Sequence, residues 1–476
     1  MAARQHFLSR VSDAALWAFN PAALIKRRFD AARLPADRNQ RFGGYASEVA
    51  PALDQMRSRS RAACENNPYF GAAVRALTTH LVGAEIVAAS QHPDPATQTT
   101  INEAWSRFTS QCDSDGVLNM GGLQAVAVLG MIRDGEALML MRNTPDGLRV
   151  QVLDPSQIDN AKTINLDGGA FVQSGVEFSA DGRKVALWLF PQPPTNTANL
   201  NLVSQRVAID DVIHLYEVRA PGQCRGIPWG AAAQKRAGDI DELENALLVG
   251  AKVAALTCGF VEDTLGAAGF PIEGEQNGST LTASLEPGTL QKLGPGQSIK
   301  FTTPQQAAQG VEFLASQIRA VASAFGVPPQ YIDSDYARAN FSSLRSSIGV
   351  YASRLDAIVH ATLRPMLLEK LWRRWITTEI LSGRIEAPDF DSDPTPFFAV
   401  EFFAPAPPVA DDYKAAQADV LQIQNGLKSR AQAIRERGYD PATLDAERAA
   451  DAERATALGL DAPSNQPTDA EDSNSQ

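Results

Sequence analysis

The sequence predicts a mixed α+β protein: helices first, then a block of antiparallel strands, then long helices, in 476 residues. Three observations carry that expectation. Apolar residues keep a helical period to about residue 132, alternate in twos across 135–218, and return to the helical period after Pro228. Strands that follow one another without intervening helices pair antiparallel, which separates this class from alternating α/β folds. The length alone suggests about three structural units.

Residues 1–42 carry eight Lys/Arg against three Asp/Glu and read as a basic, partly helical arm. It has no apolar core or small-residue cleavage site of a secretory signal, so a solvated basic helix is expected. "RSRSR" (Arg57, Arg59, Arg61) reads as a solvated helix face, with phosphate contact the alternative. "NPYFGAAVRALTTHL" is a helix begun by Pro68 and ending before Gly83, and 101–112 and 119–132 are further helices. Strands are expected at 135–142, 148–153, 171–178, 184–190 and 211–218, with "SADG" (179–182) as a hairpin turn. Together they should form one mainly antiparallel sheet.

The run from Pro228 to Glu262 has no proline after its first residue, so it reads as one helix about 50 Å long at 1.5 Å per residue. A Gly/Pro/Thr/Gln-rich excursion follows, with short strands at 289–293 and 298–301 flanking Gly-Pro-Gly. The helix at 305–326 has an apolar stripe of Leu314, Ile318, Val321 and Phe325. Pro328-Pro329 stops it, and 326–341 is a loop. The next helix, with Leu344, Ile348, Tyr351, Leu355 and Ile358 on one face, is capped by Ser342 or Ser343 and kinked or broken by Pro365. After the linker "APAPPVADD" come helices punctuated by Gly426 and Gly438, the last begun by Asp440-Pro441. Residues 459–476 are polar and acidic, a composition expected to stay disordered.

Composition excludes several classes. A net charge of −12 argues against tight, sequence-independent DNA binding. No apolar run reaches the roughly 18 residues of a membrane span. Four scattered cysteines (Cys64, Cys112, Cys224, Cys258) and five histidines show no metal-ligand spacing, and HExxH, GxxxxGK[ST] and GxSxG are absent. Neither a metal nor a cofactor is expected. In "RAPGQCRGIPWG" (219–230) Cys224 beside Arg225 has the look of an activated thiolate, but it lacks a histidine nearby in sequence. Gly222 and Gly226 turn the chain there and Pro228 starts a helix, so a corner between two kinds of structure is the reading preferred over a catalytic cysteine.

The run "DVIHLY…RAPGQCRGIPW" strongly resembles the lambda family of bacteriophage portal proteins. The resemblance extends, in family order, through "RFDAA" (28–32), "RSRSRAACENNPYF" (57–70), "LVGAEI" (81–86) and "LEPGTLQKLGPGQSIKF". It continues in "ASAFGVPPQYIDSDYARANFSSLRSS" and "DDYKAAQADVLQIQNGLKSRAQAIRERGYDP", covering roughly 25–458. Phe341 stands where the family usually has Tyr, and "VADDYK" replaces its usual Asp-Pro before the lysine.

The resemblance implies a portal fold and a ring, usually of twelve subunits, at one capsid vertex, through which double-stranded DNA is packaged and ejected. It implies a basic arm (1–24), a wing (25–227), a first stem helix (228–260), a clip (261–304) and a second stem helix (305–326). A tunnel loop with a long wing helix (327–403), a linker and helical crown (404–458) and an acidic tail (459–476) complete it. DNA would meet Arg338, Asn340 and Arg345 in the tunnel loop. A motor would dock on the clip at Gly288, Leu290, Lys292, Gly294 and Gln297, and the wing–stem hinge would lie at Gly222, Gly226 and Pro228. The implied partners are other copies of the chain, the terminase large subunit, the major capsid protein and head–tail connector proteins. The implied location is the virion, with assembly in the host cytoplasm. A capsid-associated scaffold or adaptor without a channel, and a cysteine or serine hydrolase, are the alternatives.

Overall fold

Residues 48–194, 201–255, 259–263, 275–277, 280–282, 297–301, 306–337, 340–406, 408–409 and 411–460 are described by the computed structural model. The basic arm, most of the clip and residues 461–476 fall outside them.

Helices α1 (Ala50–Asn66) and α2 (Pro68–Val82) meet at Asn67, whose side chain accepts the Phe70 N–H at 2.8 Å and caps α2. Pro68 fills the first helical position, where a missing N–H costs nothing. After β1 (Val87–Ser90), α3 (Pro95–Gln111) starts six residues before the expected 101, because Asp94 caps it and Pro95 opens it. Asn119 caps α4 (Met120–Arg133).

The expected single sheet is two. One has the order β3 (Gly147–Leu153), β2 (Glu136–Thr144), β9 (Val212–Tyr216). The other runs β4 (Ile164–Asn165), β5 (Phe171–Gln173), β6 (Val176–Phe178), β7 (Lys184–Leu189), β8 (Gln205–Ala208). All these pairs are antiparallel. The expected strand 171–178 is a hairpin, because Ser174 and Gly175 take φ of 50° and 77° and reverse the chain.

Past Pro228 a 3₁₀ turn (Trp229–Ala232) leads into α5 (Gln234–Ala255), about 33 Å long, shorter than the 50 Å expected. Gly259–Asp263, read from sequence as helix, is instead β10, paired with β13 (Gln297–Phe301). Between them β11 (Glu275–Asn277) pairs with β12 (Thr280–Thr282). The expected strand at 289–293 lies outside the described residues. The chain returns in α6 (Gln306–Phe325), whose Ile318, Val321 and Phe325 are buried as the apolar stripe requires.

After the short α7 (Gln330–Asp333), α8 (Phe341–Ile358) is capped by Asn340 rather than Ser342 or Ser343. Pro365 does not break the long helix. It lies in a π-helical stretch (Val359–Leu368) that leads straight into α9 (Glu369–Leu381). The wider π turn gives the ring room where an α-helix would place a carbonyl. Helix α10 (Thr395–Phe398) and β14 (Val400–Phe403) follow, and β14 pairs with β1, joining segments more than 300 residues apart. Helices α11 (Asp412–Gln424), α12 (Arg430–Glu436) and α13 (Pro441–Ala457) finish the described chain.

One apolar core joins α2, α4, β2, α6, α8 and α9, with Phe70, Leu77, Phe325, Trp372 and Trp375 fully buried. Trp105 stands edge-on to Trp375 at 4.8 Å and tilted on Trp372 at 5.0 Å, a packing worth more than its area alone. A smaller core of Leu138, Ile158, Val176, Leu187 and Val212 lies between the two sheets and also contains Cys224.

Candidate functional site

The segment 219–230 is where the two sheets, α1 and the start of α5 meet. Gly222 turns the chain with φ of 76°. A Cβ on Gly226 would lie 2.0 Å from the Gly135 carbonyl oxygen, so two backbones touch at a point no side chain can enter. Gly230 plays the same part where the stem joins the wing. A Cβ there would meet Phe70 at 2.3 Å and Phe325 at 2.5 Å, two rings that pack edge to face at 4.9 Å. Pro228 supplies the N-cap position of the 3₁₀ turn. Gly222, Gly226 and Pro228, expected from sequence as a hinge, thus lie along one corner of the chain.

What holds the joint is a buried ion cluster that sequence reading missed. Glu136, at the start of β2, has no exposed side chain. Arg225 grips it with Nε at 3.0 Å and Nη2 at 2.5 Å, Arg57 donates from 2.8 Å, and the Gly226 N–H donates from 3.0 Å. His214 Nε2 lies 2.9 Å from the same carboxylate. Arg225 also donates to the Ser174 carbonyl (2.9 Å) and the Asn160 side chain (3.2 Å), so one guanidinium ties both sheets together. Burial alone would raise the Glu136 carboxyl. The charge of Arg225 and hydrogen bonds from His214 and Arg225 outweigh it and hold the group well below the usual carboxylate range. Burial lowers His214 to about 4 against the pull of Glu136, and the charges of Lys184 and Arg225 add to the fall.

The expected solvated "RSRSR" face is corrected in two of its three arginines. Arg57 is buried, and Arg61 bridges Asp134 (2.8 and 2.9 Å) and Asp154 (2.9 and 3.0 Å), while Arg59 alone is exposed. The available signal was the spacing from Leu53: Arg57 and Arg61 follow at four-residue steps on the face that Leu53 buries. Cys224 is 4% exposed and its thiol is pushed up by burial, with Arg225 and Lys184 only partly opposing. A neutral, enclosed thiol is not a nucleophile. Nearby, Lys184 donates to the Tyr216 hydroxyl, and burial lowers its ammonium to about 8.

The tunnel-loop candidates lie elsewhere. Arg338 falls outside the described residues. Asn340 spends its side-chain oxygen on the cap, accepting the Ser343 N–H at 2.8 Å, while Ser343 Oγ donates back to the Asn340 carbonyl at 3.1 Å. Arg345 is exposed on the first turns of α8, with no hydrogen bond or ion pair among the described residues. The helix is held further along: Tyr351 OH lies 2.9 Å from His80 Nδ1, and Arg354 donates to the Phe325 carbonyl. Of the clip candidates, Gly288, Leu290, Lys292 and Gly294 lie outside the described residues, and Gln297 opens β13 opposite Asp263. Among the described residues no group of His, Cys, Asp and Glu is arranged to hold a metal ion, and no helix is long and apolar enough to cross a membrane.

A probable portal protein of Halomonas phage phiHAP-1 is 22% identical over 429 residues, covering 86% of this chain and 82% of its own length. Among solved structures, a chain in the neck of a native gene transfer agent particle, computed with C12 symmetry, is 13% identical with a TM-score of 0.43. It covers 88% of this chain and 95% of itself. An HK97 family phage portal protein from Corynebacterium diphtheriae is 12% identical with a TM-score of 0.31, covering 75% of this chain and 98% of itself. The family model for phage portal proteins of the lambda family matches residues 32–358, from the arm through the joint and stem to the end of α8. The chain belongs to the lambda family of phage portal proteins.

Proposed function

We propose that the chain is one subunit of a closed ring, of the twelve usual in the family, set at one vertex of the capsid as part of the virion. Double-stranded DNA is packaged and ejected through its centre without sequence-specific contacts. The observation that carries this reading is the two-helix stem. At their wing end α5 and α6 are buried through Ala237, Ile240, Val321 and Phe325. Further out they lean on each other, with Leu247 against Gly310 and Arg236 donating to Gln317 at 2.8 Å. Beyond that contact Leu248, Val249 and Phe313 are each more than half exposed. A pair of helices cannot cover its own outer apolar faces, but a repeated rotation brings each pair against the next and closes when it divides a full turn.

The charge suits a conduit. An acidic chain does not hold phosphates tightly, so a duplex slides. The terminase large subunit docks on the clip around residues 288–297, which fall between the two stem helices in sequence. The major capsid protein and head–tail connector proteins are the other partners this role entails, and the subunits meet in the host cytoplasm. Residues 333–347 carry the tunnel loop, with Arg338 and Arg345 toward DNA and Asn340, expected to meet DNA as well, capping the helix that bears Arg345. The buried thiol of Cys224 supports a structural joint over a hydrolytic site. Sedimentation together with negative-stain imaging of the purified chain tests the ring. Closed rings with a central hole wide enough for duplex DNA are expected, and only monomers or dimers across salt and concentration would refute the assignment.

A further inference from the structure

We propose that the groove at the C-terminal end of α3 is a docking site for an acidic peptide segment, and that residues 461–476 of this chain are its occupant. Two adjoining cavities, of about 370 and 630 Å³, share Gln111 and Arg149. The first lies between α3, the β2–β3 turn and the end of α9. There Arg384 is held by Glu379 at 2.7 and 2.9 Å, above Gly147, whose missing side chain leaves the ion pair room. The second runs along the loop 113–119, where Val117 is 80% exposed.

Two guanidiniums of this groove have no counter-ion among the described residues. Arg107 and Arg149 line it, and neither has a hydrogen bond or ion pair among the described residues. Arg149 also stands directly opposite Arg142 in the β2–β3 register, and Arg142 is equally unpaired. Like charges in directly opposed cross-strand positions destabilise a sheet unless something neutralises them. Nearby carboxylates do not: Glu379 is spent on Arg384, and Asp113 accepts the backbone N–H groups of Asp115, Val117 and Leu118 at 3.1, 2.9 and 2.8 Å. Asp146, on the hairpin turn, lines the same cavity, and one carboxylate does not balance three guanidiniums.

Charge selects the occupant. Residues 461–476 contain Asp461, Asp469, Glu471 and Asp472 and no lysine or arginine, whereas residues 1–42 are basic. A separate acidic partner would be repelled by a chain of net charge −12. A tethered segment has no such approach to make. Sixteen residues reach up to about 50 Å when extended, and tethering supplies an effective concentration of the order of millimolar.

The probe is a fluorescein-labelled peptide of residues 461–476, read by anisotropy at low salt against four forms of the full chain. In the first, Asp461→Asn, Asp469→Asn, Glu471→Gln and Asp472→Asn free the groove, and this chain should bind the peptide. Adding Arg107→Ala and Arg149→Ala should weaken binding about tenfold or more. The unaltered chain should also bind about tenfold more weakly, because its own segment competes. Arg59→Ala with Arg183→Ala, exposed arginines elsewhere, should leave binding unchanged, and circular dichroism should match throughout. No binding by the neutralised chain, or equal binding with and without Arg107 and Arg149, would overturn the proposal.

Discussion

Glu136 accepts hydrogen bonds from two guanidiniums, an imidazole and a backbone N–H, all away from solvent. Such a cluster is costly to assemble and worse to break, since removing one partner of a buried pair leaves a charge uncompensated at about 3–5 kcal/mol. Its value at the joint is specificity of geometry: Arg225 has one orientation that satisfies Glu136, Ser174 and Asn160 together. His214 makes the cluster sensitive to acid. Its folded pKa is about 4, below the ordinary value near 6.5, so between those values the unfolded chain binds the extra proton. Stability is therefore full above about pH 6.5 and falls as pH drops toward 4, by roughly 3 kcal/mol at most from this residue. Lys184 and Arg225 stay charged in both states across that window and add no slope, whereas Glu136, ionised in the fold but protonating near its ordinary 4.5 when unfolded, adds a loss of the same sign at the acid end. Urea unfolding from pH 7 to 4.5, with His214→Phe for comparison, isolates the effect. The stability gap between wild type and variant should shrink steadily as pH falls; a gap that does not change with pH would mean that His214 titrates normally in the fold.

The elements most legible in the sequence were those with local signals. Helix α2 has an Asn-Pro start and a glycine stop, α6 an unbroken apolar stripe, and the last crown helix its Asp440-Pro441 cap, and each appears where the pattern put it. What was not legible depends on distance along the chain. β1 is four residues long and exists because β14, more than 300 residues later, pairs with it. The burial of Arg57 requires Glu136, 79 positions away. The split of the expected strand 171–178 into a hairpin turned on Ser174, a non-glycine residue at positive φ that composition does not announce. The segment after α5 shows the same limit, since β10 was read from sequence as helix and is a strand because β13 pairs with it. That ladder closes the base of the excursion and tells an experimenter where to cut. Replacing Leu290–Gly296 with a short Gly/Ser link, sparing Gln297–Phe301, should leave rings intact and abolish terminase binding in a pull-down. Undiminished binding would place the motor contact outside the clip.

At the scale of the whole molecule, weak contacts gain their effect by repetition. Arg345 sits one turn past the Asn340 cap, exposed, on a helix held further along by the Tyr351–His80 hydrogen bond and the Arg354 contact to α6. A side chain so placed keeps its position without being consumed by a partner in its own subunit. An exposed guanidinium contributes up to about 1 kcal/mol to any one phosphate contact, too little to hold DNA. Around a ring, contacts of that size add to a grip that breaks and reforms as the duplex advances. Arg345→Ala should therefore leave ring assembly unchanged and lower the DNA retained in filled particles, with the deficit shrinking as salt is raised and screens the contact. Asn340→Ala is the companion variant. It removes a helix cap worth about 1 kcal/mol, so it should loosen the start of α8 and reduce retention while Arg345 remains present. Particles are measured by DNA content and rings by imaging. Should Arg345→Ala instead prevent ring formation, while mixed assemblies with wild-type subunits package normally, the residue pairs with a neighbouring subunit's carboxylate and the channel assignment fails.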